Sequence, residues 1–379
     1  MSKTILITGS SGFLGKNLCE HLSQRKGIVL KTFDLENSMD ELRRFVGVAD
    51  IIFHLAGVNR PLQLDDFETG NVGFTQTLLN EISQSGRRPR VIFSSSIQAE
   101  LDNPYGKSKR SAELLLEDAA RKDDIRLSIF RLPNLFGKWS RPNYNAVTST
   151  FCHNIANDLP VQINDPSVIL NLAYVDDAVG AFLKEMEKKP YRDRYRHQYI
   201  VDQSAIPCKK ITVGELAQRI YFFRNMQETL LISDFSDRFN KQLYATYLSY
   251  VPKERWEYGT EIKTDDRGNL AELVKSTSFG QMFVSKTKPG ITRGNHYHHT
   301  KTEKFMVISG EAVIRFRHIH HNEIIEFSVH GDHYRIVDIP PGYTHSITNT
   351  GTTELITLFW ASEIFDSSQA DTYFKPVTL

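Results

Sequence analysis

Between residues 4 and about 135 the chain alternates short β-branched apolar runs with stretches whose apolar positions recur every three or four residues. The runs at 4–8, 29–33, 51–55, 90–93 and 127–130 are apolar without strict alternation, the pattern of strands buried on both faces. Segments 14–23, 39–46, 75–83 and 108–120 between them have helical spacing. This alternation predicts an α/β architecture, a doubly wound parallel sheet, because a parallel neighbour needs a long crossover and a helix supplies it. Residues 140–250 are looser. Helices are expected near 146–157, 175–188 and 212–224, and the region reads as the irregular remainder of the same domain.

The pattern changes after a polar, turn-rich segment at 253–268. Beyond it almost nothing has helical spacing. Short runs at 281–286, 304–308, 311–316, 323–329, 334–339 and 354–360 are separated by Gly, Pro and Asn, which predicts an all-β antiparallel sandwich or barrel. The boundary falls near residue 258, giving domains 1–257 and 258–379. No internal repeat or low-complexity tract is visible.

A length of 379 residues suits two domains. Lys and Arg together number 46 against 45 Asp and Glu, a formal charge of +1, so no global field draws the chain to nucleic acid or an anionic membrane. No apolar run approaches the roughly 20 residues that span a bilayer. The N-terminus reads as a first strand meeting a turn, not as a signal peptide, and a cytoplasmic location is expected. Cys19, Cys152 and Cys208 are scattered and odd in number, which predicts neither a disulfide framework nor a cysteine metal site. Nine of the 13 histidines lie after residue 290, so the last quarter of the chain is set for different chemistry.

Two centres stand out. Thr8-Gly9-Ser10-Ser11-Gly12-Phe13-Leu14-Gly15 follows the first strand and opens the first helix. Gly9 permits a tight turn, Gly12 lets backbone N–H groups approach a pyrophosphate, and Gly15 lets helix and strand pack closely, with the helix N-terminus facing the phosphates. Asp34 ends the second strand, where a carboxylate bonds a ribose 2′-hydroxyl and repels a 2′-phosphate. Tyr105 and Lys109 are four apart on a predicted helix and share a face. An ammonium there favours the ionised phenol, readying it for proton exchange, and a serine of the Ser94-Ser95-Ser96 run can bond the same substrate oxygen.

In the C-terminal region His296 and His298 are two apart on a predicted strand and point to one side; Glu303 follows a turn and His345 comes later. Three imidazoles and a carboxylate converging in a barrel suit Zn²⁺, with Fe²⁺, Mn²⁺ and Ni²⁺ also compatible. His318, His320, His321, His330 and His333 lack such spacing and are expected on exposed hairpins, and His299 is left unassigned.

The glycine turn, the Tyr-x-x-x-Lys pair, His54-Leu55-Ala56-Gly57, Arg131 through Gly137 and Tyr174-Val175-Asp176-Asp177 resemble the extended short-chain dehydrogenase/reductases that act on nucleotide sugars. The resemblance covers residues 4 to about 250. It implies a Rossmann-type sheet, Ser96 (Ser95 less so), Tyr105 and Lys109 as catalytic set, and a coenzyme site of Gly9, Ser11, Gly12, Phe13, Leu14, Gly15, Asp34, Leu55, Ala56 and Lys109. Gly290 through Gly310 and Pro340 through Asn349 resemble the cupin superfamily, whose double-stranded β-helix barrel implies a metal on His296, His298, Glu303 and His345. Longer stretches, among them 53–61, 103–106, 133–139, 288–292 and 371–374, resemble a subfamily of bifunctional capsular-polysaccharide and O-antigen enzymes that fuse the two domains. That resemblance implies a homodimer with NADPH and Zn²⁺, in which Asp34 leaves NADH open. Its substrate would be a UDP-linked 4-keto-6-deoxy-N-acetylhexosamine, epimerised at C3 by the cupin and reduced at C4 by the reductase to UDP-2-acetamido-2,6-dideoxy-L-talose, on the path to UDP-N-acetyl-L-fucosamine. Tyr297, His299, Lys301 and Tyr343 are candidates for the cupin's acid and base. Three other readings compete: a reductase whose cupin is a non-catalytic, metal-stabilised binding or dimerisation module, an enzyme that recycles its own NAD, and a regulatory sensor of nucleotide sugars built on a decayed reductase, against which the retained Tyr105, Lys109 and glycine turn argue. The second is weakened because Asp102-Asn103-Pro104 replaces the acidic pair expected before the tyrosine.

Overall fold

The computed structural model describes residues 2–61, 63, 65–188 and 199–378. Its internal contacts divide the chain into two units, Met1–Ile220 with Gln242–Val251, and Tyr221–Lys241 with Pro252–Leu379.

In the first unit β1 (Lys3–Thr8), β2 (Ile28–Phe33), β3 (Ile51–His54), β4 (Arg90–Ser96) and β5 (Leu127–Leu132) form one sheet in the order β2-β1-β3-β4-β5, parallel throughout. Ile5 and Ile7 pack with Leu18, Leu22, Phe53 and Phe182 on one face. Leu6, between them, packs with Ile52, Leu78, Phe93 and Leu116 on the other. Successive residues of β1 therefore enter different cores, which is why it carries no polar alternation; β2, expected to be buried on both faces, is instead the edge strand, with Val29 and Thr32 exposed and only Phe33 buried. Helices Phe13–Ser23, Met39–Val46, Phe74–Ser85 and Pro104–Asp123 supply the crossovers. Met39–Val46 is started by a reciprocal capping box between Ser38 and Glu41.

The described residues between 134 and 250 are more regular than the sequence suggests. Strands β6 (Asn134–Phe136), β7 (Ile169–Tyr174) and β8 (Cys208–Thr212) make a second sheet in the order β6-β7-β8. The first three residues of β8 are exposed and two of those are lysines, so its hydrophobic signal is faint. Two further helices, Val213–Thr229 and Arg238–Leu248, follow; the second buries Phe239, Leu243 and Tyr247 along one stripe.

The second unit is antiparallel. Its strands are β9 (Ile262–Asp265), β10 (Gly268–Ser276), β11 (Gly280–Thr287), β12 (Thr292–Tyr297), β13 (Glu303–Ser309), β14 (Glu311–His318), β15 (Ile324–His330), β16 (Ile336–Ile339), β17 (Tyr343–Asn349), β18 (Leu355–Ala361) and β19 (Tyr373–Phe374). They form two sheets, β16-β13-β18-β11-β10-β9 and β15-β14-β17-β12-β19. Phe305, Val307 and Phe359 of the first sheet pack with Ile314, Phe316 and Ile347 of the second in one core. The polar segment at 253–268 holds β9, an edge strand with all four residues exposed, where hydropathy gives no signal. The fold class is thus α/β with a parallel Rossmann-type sheet plus C-terminal antiparallel sheets, as expected; the second unit also takes in the partly helical segment 221–241, which the sequence reading assigns to the first domain. Among the described residues no helix is long and apolar enough to cross a membrane.

Candidate functional site

The first centre lies at the carboxyl ends of the parallel strands. Gly9 turns the chain after β1 with φ of +72°, and a Cβ there would lie 2.6 Å from the Ala56 nitrogen. A Cβ on Gly15 would lie 2.2 Å from the Gly9 carbonyl oxygen. Only bare backbone allows the turn, the start of helix Phe13–Ser23 and the end of β3 to nest this closely. The helix N-terminus that results opens on a cleft of about 750 Å³, lined in part by Gly9, Ser11, Gly12, Phe13, Leu14, Gly15 and Leu55. A mainly main-chain cradle at a helix N-terminus is what a dinucleotide pyrophosphate requires, so these residues fit one. Asp34 follows β2, and its carboxylate accepts from Ser11 N at 2.7 Å and Leu35 N at 3.0 Å. Burial raises its pKa, but the hydrogen bonds from Ser11, Leu35 and Ser10 outweigh that and keep it ionised.

The same cleft is lined by Ser96, Tyr105 and Lys109. Ser96 ends β4 and its hydroxyl accepts from Gln98 N at 3.2 Å. The Ser95 hydroxyl is committed elsewhere, donating to Glu113 at 2.5 Å. Tyr105 is the second residue of helix Pro104–Asp123, whose start is capped by Asn103 accepting from Gly106 N at 2.8 Å. Lys109, one turn on, is buried with its ammonium 4.7 Å from the centre of the Phe93 ring. Burial pulls Lys109 down to about 8, with Glu113 acting the other way. Burial pushes the Tyr105 phenol up, against a smaller effect of the Ser96 hydroxyl. The sequence argument has Lys109 favouring the phenolate; in this geometry desolvation wins, and Tyr105 is a protonated donor at neutral pH.

Two buried networks hold these groups, and neither was foreseen. His54 lies between Thr8 Oγ1, 2.8 Å from Nδ1, and Thr75 Oγ1, 2.9 Å from Nε2. Thr75 donates to the Asn71 carbonyl at 2.6 Å, so it accepts from His54, which carries its proton on Nε2. Burial, then Lys109, lowers His54 to about 3 and keeps it neutral. Asn71 donates in turn to Ser108 Oγ at 2.9 Å on the Tyr105 helix. The second network centres on Glu113, fully buried, which accepts from Ser95, Arg131 and Arg110.

The other centre is in the antiparallel unit. A bulge between Gly294 and His296 sets His296 directly opposite His345 on β17, with ring centroids 4.6 Å apart. His298 follows the end of β12 and Glu303 opens β13 in the other sheet. One ligand atom from each of His296, His298, Glu303 and His345 lies within 4.8 Å of all the others. The Nε2 atoms of His298 and His345 are buried without a hydrogen-bond partner, 3.3 and 3.4 Å from Glu303 Oε2. Ligands on a tetrahedral ion at about 2.1 Å sit about 3.4 Å from one another, so the orphaned nitrogens and the carboxylate fit a metal. Burial lowers His296 to about 4, aided by His345. Burial raises the Glu303 carboxyl, but His298 and His345 outweigh it and hold it below the usual carboxylate range. A neutral His296 imidazole and an ionised Glu303 carboxylate are in the form a divalent cation needs. Among the described residues this is the one such group. Of the four acid–base candidates, Tyr297 and His299 pack against Tyr373, Lys301 donates to Thr372 Oγ1 at 2.8 Å, and Tyr343 packs on His318.

Residues 263–373 match the polysaccharide biosynthesis C-terminal domain family, and residues 5–197 match the NAD dependent epimerase/dehydratase family. The chain is 43% identical over 97% of its length to UDP-2-acetamido-2,6-beta-L-arabino-hexul-4-ose reductase of Pseudomonas aeruginosa, covering 97% of that protein. The crystal structure of the capsular polysaccharide assembling protein CapF from Staphylococcus aureus superposes with a TM-score of 0.90 at 43% identity, over 98% of this chain and 99% of that one. A UDP-glucose 4-epimerase from Thermotoga maritima shares the fold over 65% of this chain and 98% of its own, at 19% identity and a TM-score of 0.54. With its glycine turn, Ser96, Tyr105 and Lys109 in one cleft and the P. aeruginosa reductase matched over 97% of both chains, the chain belongs to the NAD dependent epimerase/dehydratase family.

Proposed function

We propose that the chain is a bifunctional nucleotide-sugar enzyme. Its C-terminal unit epimerises C3 of a UDP-2-acetamido-2,6-dideoxy-4-hexulose, and its N-terminal unit reduces the C4 ketone to UDP-2-acetamido-2,6-dideoxy-L-talose. The observation that carries the reduction is the meeting of Ser96, Tyr105 and Lys109 with the glycine turn in a single cleft. The substrate class is supported by the name of the P. aeruginosa relative. When bound, a nicotinamide coenzyme supplies the hydride and a divalent metal the polarisation of the ketone. Tyr105 gives its phenolic proton to the C4 oxygen as negative charge develops there, and Ser96 holds that oxygen by a second hydrogen bond. Lys109 would hold the coenzyme's ribose, and the Asp34 carboxylate at the end of β2 would accept from an adenosine 2′-hydroxyl and repel a 2′-phosphate, which would favour NADH over the NADPH implied by resemblance. In the other unit His296, His298, Glu303 and His345 would hold the metal. A ketone at C4 acidifies the C3 proton, and reduction removes that ketone, which draws the epimerisation forward.

The test is NMR of the UDP-linked 4-hexulose in D₂O, with and without each coenzyme. Deuterium entering C3 without coenzyme, followed by a 4-hydroxy sugar when NADH is added, is the expected result. Reduction without C3 exchange makes the C-terminal unit a binding or dimerisation module; absence of both overturns the substrate class.

A further inference from the structure

The stretch Asp371-Thr372-Tyr373-Phe374 contributes no metal ligand and lies 26 residues beyond His345. It is nonetheless bound to the candidate metal centre at several points. The Asp371 carbonyl accepts from His298 Nδ1 at 2.5 Å. With Nδ1 committed to that carbonyl, the His298 ring is turned so that Nε2 is the nitrogen facing the site, and Nε2 is the buried, unpartnered atom 3.3 Å from Glu303.

The side chain of the same residue takes the next stretch of backbone. Its carboxylate accepts from three successive amides, His299 N at 2.8 Å, Thr300 N at 2.7 Å and Lys301 N at 2.9 Å, and from Thr300 Oγ1 at 3.0 Å. These residues are the turn that leads from His298 to Glu303. Three consecutive N–H groups aimed at one point form a nest, stable only around an anion. Here the anion is supplied from within the chain. One residue therefore sets the ring orientation of one ligand through its main chain and the approach of another through its side chain.

We propose that Asp371 is the positioning residue of the His296–His298–Glu303–His345 centre. The proposal rests on the metal reading above and adds what makes the site preformed before an ion arrives. Its physical basis is that a ligand imidazole free to flip or change tautomer loses metal affinity, typically 10- to 100-fold when its outer partner is removed. The Asp371→Ala variant keeps the main-chain carbonyl but releases the nest, so both the turn and that carbonyl lose their fixed place.

The experiment uses the full chain and Co²⁺ alone as probe, read by chelator competition and by its visible ligand-field spectrum. Metal-free protein is read by ¹⁵N NMR of the histidine rings. The wild type is expected to bind one Co²⁺ tightly, with His298 as the Nδ1–H tautomer before metal is added. Asp371→Ala is expected to lower affinity at least 10-fold, alter the spectrum and give His298 mixed tautomers, at a temperature where circular dichroism shows both proteins folded. Asp371→Asn, which retains one acceptor for the turn, falls between. Lys375→Met is the control: Lys375 ties the same tail to the Ile319 carbonyl at 2.8 Å without touching the ligands, and its loss leaves affinity unchanged. Equal binding by wild type and Asp371→Ala overturns the role of Asp371 and leaves the metal reading standing. An equal loss in Lys375→Met also overturns it, since tail docking in general would then be the cause. No binding by the wild type overturns the metal reading and this proposal with it.

Discussion

Replacing Glu113 by Gln tests how the reductase cleft is held. Glu113 is fully buried on helix Pro104–Asp123, one turn beyond Lys109 and two beyond Tyr105. Arg131 donates to it at 2.9 and 2.7 Å, Arg110 at 2.7 Å and Ser95 at 2.5 Å. Gln keeps the volume and one acceptor but removes the only buried charge opposing two guanidinium groups in this network. Arg131, its side chain 10% exposed, would be left with Glu100, which is 62% exposed. Removing one partner of a buried ion pair costs about 3–5 kcal/mol. Glu100 and Glu117 remain as weaker partners, so the lower end, about 3 kcal/mol, is expected. For a unit of this size that is roughly a 6–12 °C fall in the melting temperature. The assay is calorimetry of the full chain, with the N-terminal transition assigned by its shift on adding coenzyme. The difference also has a defined pH dependence. Burial raises the Glu113 pKa, but Arg131, Ser95 and Arg110 outweigh it and the folded value lies below the ordinary 4.5. Its stabilisation is therefore complete above pH 4.5 and is lost as pH falls through the folded value, so wild type and variant should converge in acid. A fall under 2 °C at pH 7, or a difference that persists unchanged to pH 3, would refute the reasoning.

Three further outcomes are expected. If the Lys109 ammonium is the working form, kcat/KM for reduction should fall as pH rises through about 8, and Lys109→Arg should move that limb beyond pH 10; an unchanged limb assigns it to another group. NADH should be preferred to NADPH by about 10- to 100-fold, the value of a charge-assisted hydrogen bond of 1.5–3 kcal/mol, and Asp34→Ala should erase the preference in coenzyme titrations. Gly15→Ala should abolish coenzyme binding measured by fluorescence, because its Cβ would meet the backbone of Gly9 and Ser10 at 2.2–2.8 Å with no flexible side chain to yield; retained affinity would mean the turn can open.

How much of this was legible depended on range. Strands β1, β3 and β4 were readable because Ile5 to Ile7, Ile51 to Phe53 and Val91 to Phe93 are all buried, so the apolar run in the sequence is the strand itself. The exposed lysines of β8 and the four exposed residues of β9 carry no such signal, and pairing alone makes them strands. Gly9, Tyr105 and the His296–Glu303 spacing were legible because each is a local pattern with one chemical use. Asp371 meets His298 across 73 positions, and Arg131 meets Glu113 only through the sheet; an isolated Asp or Arg looks like a solvated surface residue. The ordering of Ser96 before Ser95 came from resemblance; its physical reason needs Glu113 in place, which occupies the Ser95 hydroxyl.

The assignment of residues to the two units has a consequence for their separability. The chain leaves the N-terminal unit after Ile220, returns for Gln242–Val251, and leaves again at Pro252. Neither unit is a contiguous stretch of covalent chain, so no single cut divides them. Severing near residue 257 would strand 221–241 on the wrong fragment, while severing at 220 would strip the N-terminal unit of the helix that buries Leu243 and Tyr247. During synthesis the N-terminal unit is likewise incomplete until residue 251 has emerged, by which time the first piece of its neighbour is already made. The join is a stitch and not a hyphen, and excising either unit calls for re-routing the chain.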